Sequence, residues 1–375
     1  MMKYTNLALL LMCAGLASCF KAEPLNYEAD ITSAYVHIDN PKDIFYNPSD
    51  TMAYIATDLT SWEIVFNNAL RYADITNIAP RFTLSPGATI TPASGTPQDF
   101  SQGGIIYKVT SEDGQWSREY NVRFAKLNQV YQYSFENYTL SASGNYYIWS
   151  DLPETETPNW SSANAGFEFA RLKTAKIEDY PTTPDPNGYK GSCVKLTTCS
   201  TGSWGALTNK RIAAGNLYLG TFDLGKALTE TLKSTRFGMP TDRKPQRFSG
   251  YYKYKPGEDL QNNGTSIGGE DKGDIYAVVY ENHDAAGNAV VLTGEDVTTS
   301  PRLVAMARVE NMHNTDEWTH FDVPFVYTQD IDYTALMNGG YSFSVICSSS
   351  KNGDQYIGAL GSTLWVDELS IQIEE

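Results

Sequence analysis

Short runs of alternating apolar and polar residues, separated by clusters of Gly, Pro, Asn and Asp, recur along this chain. Because alternate side chains of a strand point to opposite faces, such runs predict β-strands with one buried face. Clear examples are residues 104–110 and 118–124, which flank a hairpin signal at residues 112–115. No segment has the spacing of a long amphipathic helix. The sequence therefore predicts an all-β protein.

Two β-domains are predicted after the N-terminal leader. Residues 19–127 have the length and turn content of an Ig-like β-sandwich. A new run of strands opens near residue 130 and the last one ends near residue 371. We therefore predict that residues 128–375 form a larger jelly-roll β-sandwich with long loops.

The first residues have the features of an export signal. Lys3 supplies a positive charge, residues 7–16 are apolar, and small residues precede Cys19. The apolar run is shorter than the ~20 residues that a membrane-spanning helix needs. Its end on a cysteine resembles a bacterial lipoprotein signal, which implies removal of residues 1–18 and a lipid on Cys19. We expect anchoring to the outer membrane of the cell envelope, on its surface or periplasmic side.

Charge and cysteine content exclude several classes of function. The chain has 28 Lys and Arg against 44 Asp and Glu, a net charge of −16, which opposes nucleic-acid binding. After the leader and Cys19, three cysteines remain, an odd number that favours free, buried thiols: Cys193, Cys199 and Cys347. The sequence contains neither a CxxC nor an HExxH pattern, so it does not indicate a zinc site.

Several short motifs follow one another in a characteristic order across residues 135–368. They are Phe135-Glu136-Asn137-Tyr138, Phe237-Gly238-Met239-Pro240, residues 248–254, Trp318-x-x-Phe321-x-Val323-Pro324 and Gly361-Ser362-x-Leu364-x-Val366-Asp367-Glu368. Together they resemble the putative carbohydrate metabolism domain family of Bacteroidetes surface lipoproteins. Residues 79–96 resemble the Ig-like domain that precedes it. The resemblance implies association with carbohydrate and supplies no catalytic signature.

Candidate sugar-binding residues follow from the shape of a pyranose, which has an apolar face and a hydroxyl rim. A site for it needs an aromatic ring with amide, carboxylate or guanidinium groups in reach. Trp160 beside Asn159, and Trp204 in a Gly- and Ser-rich segment, have that pairing on predicted loops. Arg236 and Asn282 are predicted at strand ends that line the same face. The alternative, in which each tryptophan covers an edge of the sandwich, stays open.

Tyrosines at alternate strand positions allow two interpretations. Tyr252 and Tyr254 share one face of their strand, as do Tyr276 and Tyr280. They form either a stacking platform or part of the core, and the pattern favours the core.

A calcium site is suggested by two carboxylates. Glu136 and Asp367 lie in the first and last predicted strands of the larger domain. In jelly-roll modules that this chain resembles, carboxylates at those places help to hold a structural Ca²⁺, which takes six to eight oxygen ligands. The alternative is that both are solvated or capping carboxylates.

Glycoside hydrolysis needs two carboxylates at a defined separation. The predicted strands offer only isolated candidates, Glu168 and Glu281, and the acidic residues 270–274 are interpreted as a solvated loop. We therefore predict non-catalytic carbohydrate binding with no required cofactor. A glycoside hydrolase that uses carboxylates of the jelly roll, and a structural or adhesive surface protein, are the alternatives. The expected partners are oligo- or polysaccharide, the membrane through Cys19, and other glycan-utilisation proteins.

Overall fold

The structure, a computed structural model, describes residues 24–45, 48–55, 62–70, 73–126, 131–152, 158–171, 175–227 and 229–374. The predicted leader and Cys19 lie outside these ranges. Across the described ranges, no helix is both long enough and apolar enough to span a membrane. The chain divides into two compact units: Met1–Asp39 with Thr51–Phe66 and Ile75–Phe124, and Asn40–Asp50 with Asn67–Asp74 and Ala125–Glu375.

The first unit is built from two antiparallel sheets. Its strands are β1 (Ile31–Val36), β2 (Tyr54–Ile55), β3 (Glu63–Ala69), β4 (Pro80–Leu84), β5 (Thr89–Thr91), β6 (Ile105–Thr110) and β7 (Ser117–Lys126). β1 pairs with β4, and the other sheet has the order β2-β3-β7-β6-β5. Thr110 lies opposite Ser117 across the β6–β7 hairpin. Gly114 in its turn has a φ of 69°, so the predicted hairpin is confirmed.

The second unit contains many more strands. The first of these are β8 (Gln132–Tyr133), β9 (Tyr138–Leu140), β10 (Tyr147–Trp149), β11 (Trp160–Ser161), β12 (Thr182–Asp185), β13 (Cys193–Thr197), β14 (Cys199–Ser200), β15 (Ile212–Ala213), β16 (Asn216–Phe222), β17 (Thr235–Phe237) and β18 (Met239–Thr241). They are followed by β19 (Pro245–Lys255), β20 (Leu260–Asn262), β21 (Thr265–Ser266), β22 (Asp274–Glu281), β23 (Leu292–Thr293), β24 (Leu303–Arg308), β25 (Thr315–Pro324), β26 (Val326–Tyr327), β27 (Tyr341–Ser348), β28 (Ile357–Ala359) and β29 (Thr363–Ile373).

Helices are few and short. The α-helices of the described chain are α1 (Asn164–Ala170), α2 (Gly202–Leu207) and α3 (Tyr333–Met337). Single 3-10 turns occupy Pro41–Asp43, Pro48–Thr51, Ile177–Asp179, Thr231–Lys233 and Gly353–Gln355. This content confirms the predicted all-β class.

Two large sheets form the body of the second unit. A nine-stranded sheet has the order β23-β17-β16-β27-β22-β24-β26, with β11 beside β16 and β18 beside β27. A six-stranded sheet has the order β12-β13-β29-β19-β25, with β8 beside β29. Smaller sheets are β9 with β10, β14 with β15, and β20 with β21 and β28.

The main core lies between these two sheets because one face of each is apolar. Phe248 and Tyr252 of β19 pack in the same cluster as Ala277 of β22 and Val345 of β27. Tyr252 and Tyr254 are each 2% exposed, which confirms the core interpretation of that pair. The two sheets and this core make a β-sandwich.

Four local predictions are wrong. The segment that begins at Trp160 forms the strand β11 and not a loop. The segment that contains Glu168 forms the helix α1 and not a strand, and the segment around Trp204 forms α2 and not a loop. Within the acidic residues 270–274, Asp271 and Asp274 are buried and not solvated. The Asp271 carboxylate accepts hydrogen bonds from Ser350 Oγ, Ser362 Oγ and the backbone N–H groups of Lys272 and Ala359. These bonds satisfy a charge that would otherwise be costly to bury.

Candidate functional site

The candidate site is a cavity of about 730 Å³ in the second unit. It opens on the face of the nine-stranded sheet that points away from the main core. Along β16, Asn216 and Tyr218 line the cavity, while Leu217 between them is buried in the core. Along β22, Tyr276 lines the cavity and Ile275 lies in the core. The volume falls within the range of about 300–1,000 Å³ that is usual for small-molecule sites.

An ion pair between Asp274 and Arg308 lies in the lining of this cavity. Arg308 Nε donates to Asp274 Oδ1 at 2.9 Å, and the terminal nitrogen of Arg308 donates to Asp274 Oδ2. The Arg308 guanidinium also lies 5.1 Å from the centroid of the Tyr276 ring. Burial raises the pKa of Asp274, and the hydrogen bonds from Arg308 oppose that rise. The pair therefore places a fixed positive and a fixed negative group beside an aromatic ring.

The loop after β27 supplies a polar wall. Lys351, Asn352, Asp354 and Tyr356 all line the cavity. The backbone N–H of Lys351 donates to the carbonyl of Lys272 at 2.7 Å, which fixes the start of the loop. Burial raises the pKa of Asp354, and the nearby carboxylate of Asp274 raises it further. This wall therefore gives the cavity an ammonium, an amide, a carboxyl and a phenol group in addition to the ion pair.

The same lining includes an apolar wall. Phe167 and Phe169 come from α1, and Phe222 and Leu224 come from the end of β16 and the following loop. Phe169 is 43% exposed and Leu224 is 50% exposed, so the apolar wall is open to solvent. Aromatic rings together with amide and charged groups in one cavity match the apolar face and the hydroxyl rim of a sugar ring.

A known protein family matches most of the second unit. The sequence profile of the putative carbohydrate metabolism domain matches residues 134–372. The chain belongs to this family. A second profile, described as SGBP, N-terminal, matches residues 68–123. The predicted family resemblance is therefore confirmed.

Two solved structures resemble this carbohydrate metabolism domain protein. A putative glycoside hydrolase from Bacteroides thetaiotaomicron VPI-5482 is 36% identical, with a TM-score of 0.66, and the match covers 94% of this chain and 99% of that one. A putative glycoside hydrolase from Bacteroides vulgatus ATCC 8482 is 37% identical, with a TM-score of 0.59, over 65% of this chain and 98% of that one. Comparison with curated proteins gives no match.

Trp160 and Asn159 lie inside this carbohydrate metabolism domain and not on its surface. Trp160 is 2% exposed, and its Nε1 donates to Asp151 Oδ2 at 2.6 Å. Its ring packs against Tyr133 and Phe135, with centroid distances of 5.0 and 5.3 Å. Asn159 is also buried, and its Oδ1 accepts from the backbone N–H of Asp151. The structure thus places both residues where they support the core.

Neither Asn282 nor Arg236 lines the cavity. Asn282 is 1% exposed, and its Nδ2 donates to the Gly339 carbonyl and to Ser342 Oγ, which ties it to neighbouring backbone. Arg236 lies in β17 and does not line the cavity. The backbone of Trp204 lies in α2, and its side chain is outside the described part of the structure.

Glu136 and Asp367 bind the same loop, the residues between β12 and β13. The Glu136 carboxylate accepts from the backbone N–H of Ser192 at 3.0 and 3.2 Å. Asp367 Oδ2 accepts from the backbone N–H of Lys190 at 2.9 Å, and its Oδ1 accepts from that of Glu368 at 2.8 Å. No group of three or more His, Cys, Asp or Glu suited to a metal occurs among the described residues. Calcium binding by Glu136 and Asp367 stays a prediction.

The two isolated glutamates are not among the residues that line the cavity. Glu168 accepts a hydrogen bond from Asn145 Nδ2, and Glu281 is 3.9 Å from Arg302 at the end of β22. Sequence reasoning missed Asp274 and Arg308. A signal was available, because Asp274 and Tyr276 alternate with apolar residues, as they do along a strand with one polar face.

Proposed function

We propose that this carbohydrate metabolism domain protein binds an oligo- or polysaccharide in the cavity without cleaving it. The observation that carries the proposal is the Asp274–Arg308 pair beside the Tyr276 ring. A sugar needs fixed hydrogen-bonding groups for its hydroxyls and a ring for its apolar face. The pair supplies such groups, and the Phe169 ring of the same lining, 43% exposed, supplies the apolar face. Because the apolar wall is open, we expect modest affinity, about −4 to −8 kcal/mol.

Binding should be tested with the full chain on an array of plant and host polysaccharides, followed by titration calorimetry of each hit. Arg308→Met should weaken binding at least about tenfold, because it removes hydrogen-bond donors from the cavity. Arg247→Met is the matched control, since Arg247 forms a similar pair with Asp322, Nε to Oδ1 at 2.8 Å, outside the cavity. Phe169→Ala removes an exposed wall residue without disturbing the core. Unchanged binding by both cavity variants would contradict the proposal.

Glycoside hydrolysis is the second candidate, and one observation favours it. Asp274 and Asp354 line the same cavity, and burial raises the pKa of both carboxyls. A raised pKa suits a general acid. However, two hydrogen bonds from Arg308 favour the ionised form of Asp274, and an ionised carboxylate has no proton to donate. This pairing is the reason to place binding ahead of cleavage.

Chromatography of each bound glycan separates the two candidates. Binding without product supports the non-catalytic proposal. A product that disappears in Asp354→Asn, with the fold retained, would establish hydrolysis and identify one of its carboxylates.

A lipid anchor at Cys19 is part of the same proposal. It is supported by the positive, apolar and small-residue segments that precede the cysteine. Anchoring in the outer membrane would hold the binding domain beside other glycan-utilisation proteins. Labelling of cells with a fatty-acid analogue should mark the full chain and fail to mark Cys19→Ser. Labelling of both proteins, or of neither, would contradict the anchor.

A further inference from the structure

The solvent face of the six-stranded sheet carries rings and ammonium groups in one row. Lys195 of β13 lies opposite Trp365 of β29, and Lys253 of β19 lies opposite the same tryptophan. Trp318 of β25 is next, with its ring centroid 4.7 Å from Lys253 Nζ. The neighbours of these residues along the strands, such as Val366 and Tyr252, point into the core. We call Lys195, Trp365, Lys253 and Trp318 the lysine–tryptophan row.

A stacked pair of tyrosines lies beside the row. The rings of Tyr189 and Tyr251 are nearly parallel, 11° apart, with centroids 3.6 Å apart. Tyr189 also meets Trp318 edge to face at 6.4 Å, and it is 48% exposed. Because one face of Tyr189 is covered by Tyr251, its exposed area includes the opposite face. An aromatic ring thus stands on the solvent side of the sheet, where polar residues are usual.

The loop that carries Tyr189 is held in place by its backbone. Asp367 binds the N–H of Lys190, and Glu136 binds the N–H of Ser192. Ordering of a loop on binding would oppose affinity, and a loop that is already held avoids much of that loss. The Tyr189 ring is therefore presented in a fixed position.

The ammonium groups of the row form no close ion pair, although the charge of Lys195 interacts with the nearby Asp185 carboxylate. Among the ion pairs of the described residues, none includes Lys195 or Lys253. Lys253 Nζ lies 5.3 Å and Lys195 Nζ lies 5.9 Å from the Trp365 ring. The nearby carboxylate of Asp185 accepts from Trp365 Nε1 and from Asn187. In a chain with a net charge of −16, two lysines beside half-buried indole rings and the exposed Tyr189 ring are complementary to an anion.

We propose that this face is a second binding surface, for a glycan whose sugar rings carry carboxylate or sulfate groups. One sugar ring stacks on Tyr189, and an acidic substituent pairs with Lys253 or Lys195. The surface belongs to the six-stranded sheet and shares no residue with the cavity on the nine-stranded sheet. The inference therefore does not depend on the function proposed for the cavity.

The test measures binding of the full chain to three immobilised polymers: polygalacturonate, dextran sulfate and neutral dextran. We expect binding to one or both anionic polymers and little to dextran. The double variant Lys195→Gln with Lys253→Gln should lose at least about tenfold in affinity. Lys108→Gln, which removes an exposed lysine from the first unit, is the control for charge and should bind like the unchanged chain.

Two further variants separate recognition from general charge effects and from misfolding. Tyr189→Ala should weaken binding although it changes no charge, because a sugar ring loses its stacking partner. Lys253→Arg should retain binding, since the guanidinium keeps the positive charge and stacks on indole rings. The proposal is overturned if neither anionic polymer binds, if Lys195→Gln with Lys253→Gln binds normally, or if only a protein partner depends on these residues.

Discussion

Asp274 and Arg308 meet through two hydrogen bonds at the lining of the cavity, on neighbouring strands β22 and β24. The Asp274 side chain is only 7% exposed and that of Arg308 is 20% exposed. A buried pair of this kind is stable only while both partners are present, because either charge alone would be left poorly solvated. A substitution in this pair should therefore change both the cavity lining and the free energy of unfolding.

Removal of one partner should cost more stability than removal of both. We expect Arg308→Met to lower the free energy of unfolding by roughly 3 kcal/mol, because it leaves the Asp274 carboxylate unpaired. Arg308→Met combined with Asp274→Leu should be less destabilised than Arg308→Met alone. Urea unfolding of the three proteins measures both effects. A loss below about 1 kcal/mol in Arg308→Met would contradict burial of the pair.

Substitution of Trp160 should act on stability and not on binding. Trp160→Ala should lower the free energy of unfolding by about 3–5 kcal/mol, because it leaves a cavity beside Tyr133 and Phe135. Trp160→Phe fills more of that space and should fold with a smaller loss. Since neither change reaches the cavity lining, Trp160→Phe should bind glycan like the unchanged chain. A folded Trp160→Phe protein that no longer binds would place Trp160 in the site after all.

Fold class could be predicted from the sequence because alternation and turn residues are local signals. The strand predicted to carry Tyr252 and Tyr254 is β19, Pro245–Lys255, and the one predicted to carry Tyr276 and Tyr280 is β22, Asp274–Glu281. Within each strand, the alternation of apolar and polar residues shows which face is buried. Short helices were missed, since α1 and α2 have too few turns to show a helical period.

The cavity could not be predicted in the same way, because its residues come from distant parts of the chain. Asn216, Asp274 and Arg308 meet only through strand order, β16-β27-β22-β24. The error at Trp160 has a different cause. Polar neighbours indicated a surface loop, but the Asp151 carboxylate supplies the acceptor that lets the indole N–H be buried.

Gly191 should be intolerant of a side chain. Its φ of 65° is in the left-handed region, and a Cβ there would collide with the Glu136 carboxylate. We expect Gly191→Ala to lower the free energy of unfolding by roughly 2 kcal/mol. Gly361→Ala is the matched control: its φ of 87° is similarly unfavourable, but no atom lies within 4 Å of the added carbon. Equal losses in urea unfolding would mean that the contact with Glu136 contributes nothing.

The calcium prediction has a direct test at Glu136 and Asp367. If Ca²⁺ binds there, EDTA should lower Tm, because a ligand that binds only the folded state stabilises it. Glu136→Gln should abolish the difference between melting with and without EDTA. Scanning calorimetry of both proteins measures this. An unchanged Tm in EDTA would show that the carboxylates serve only the loop between β12 and β13.

Asp367 should lower the free energy of unfolding as the pH rises. An aspartate whose pKa is lowered by folding has the opposite effect. Burial raises its pKa to about 6, against the hydrogen bonds from the backbone of Lys190 and Glu368. The unfolded chain has the usual aspartate pKa of about 3.9. The folded state therefore holds this proton more tightly, so its contribution to stability is complete below about pH 4 and is lost as the pH rises through about 6. The full loss is on the order of 3 kcal/mol.

Comparison with Asp367→Asn isolates this contribution from all other titrating groups. Urea unfolding from about pH 4 to pH 8 should show the stability of the unchanged chain, relative to Asp367→Asn, falling until about pH 6.5 and constant above it. The plateau follows because Asp367 is ionised in both states at higher pH. Asparagine accepts through one atom only, so the variant also loses one of the two backbone contacts, a loss that does not depend on pH. If the stability of the unchanged chain relative to Asp367→Asn instead rises between pH 4 and 6, the folded state favours the ionised carboxylate, and the expected rise of the Asp367 pKa is wrong.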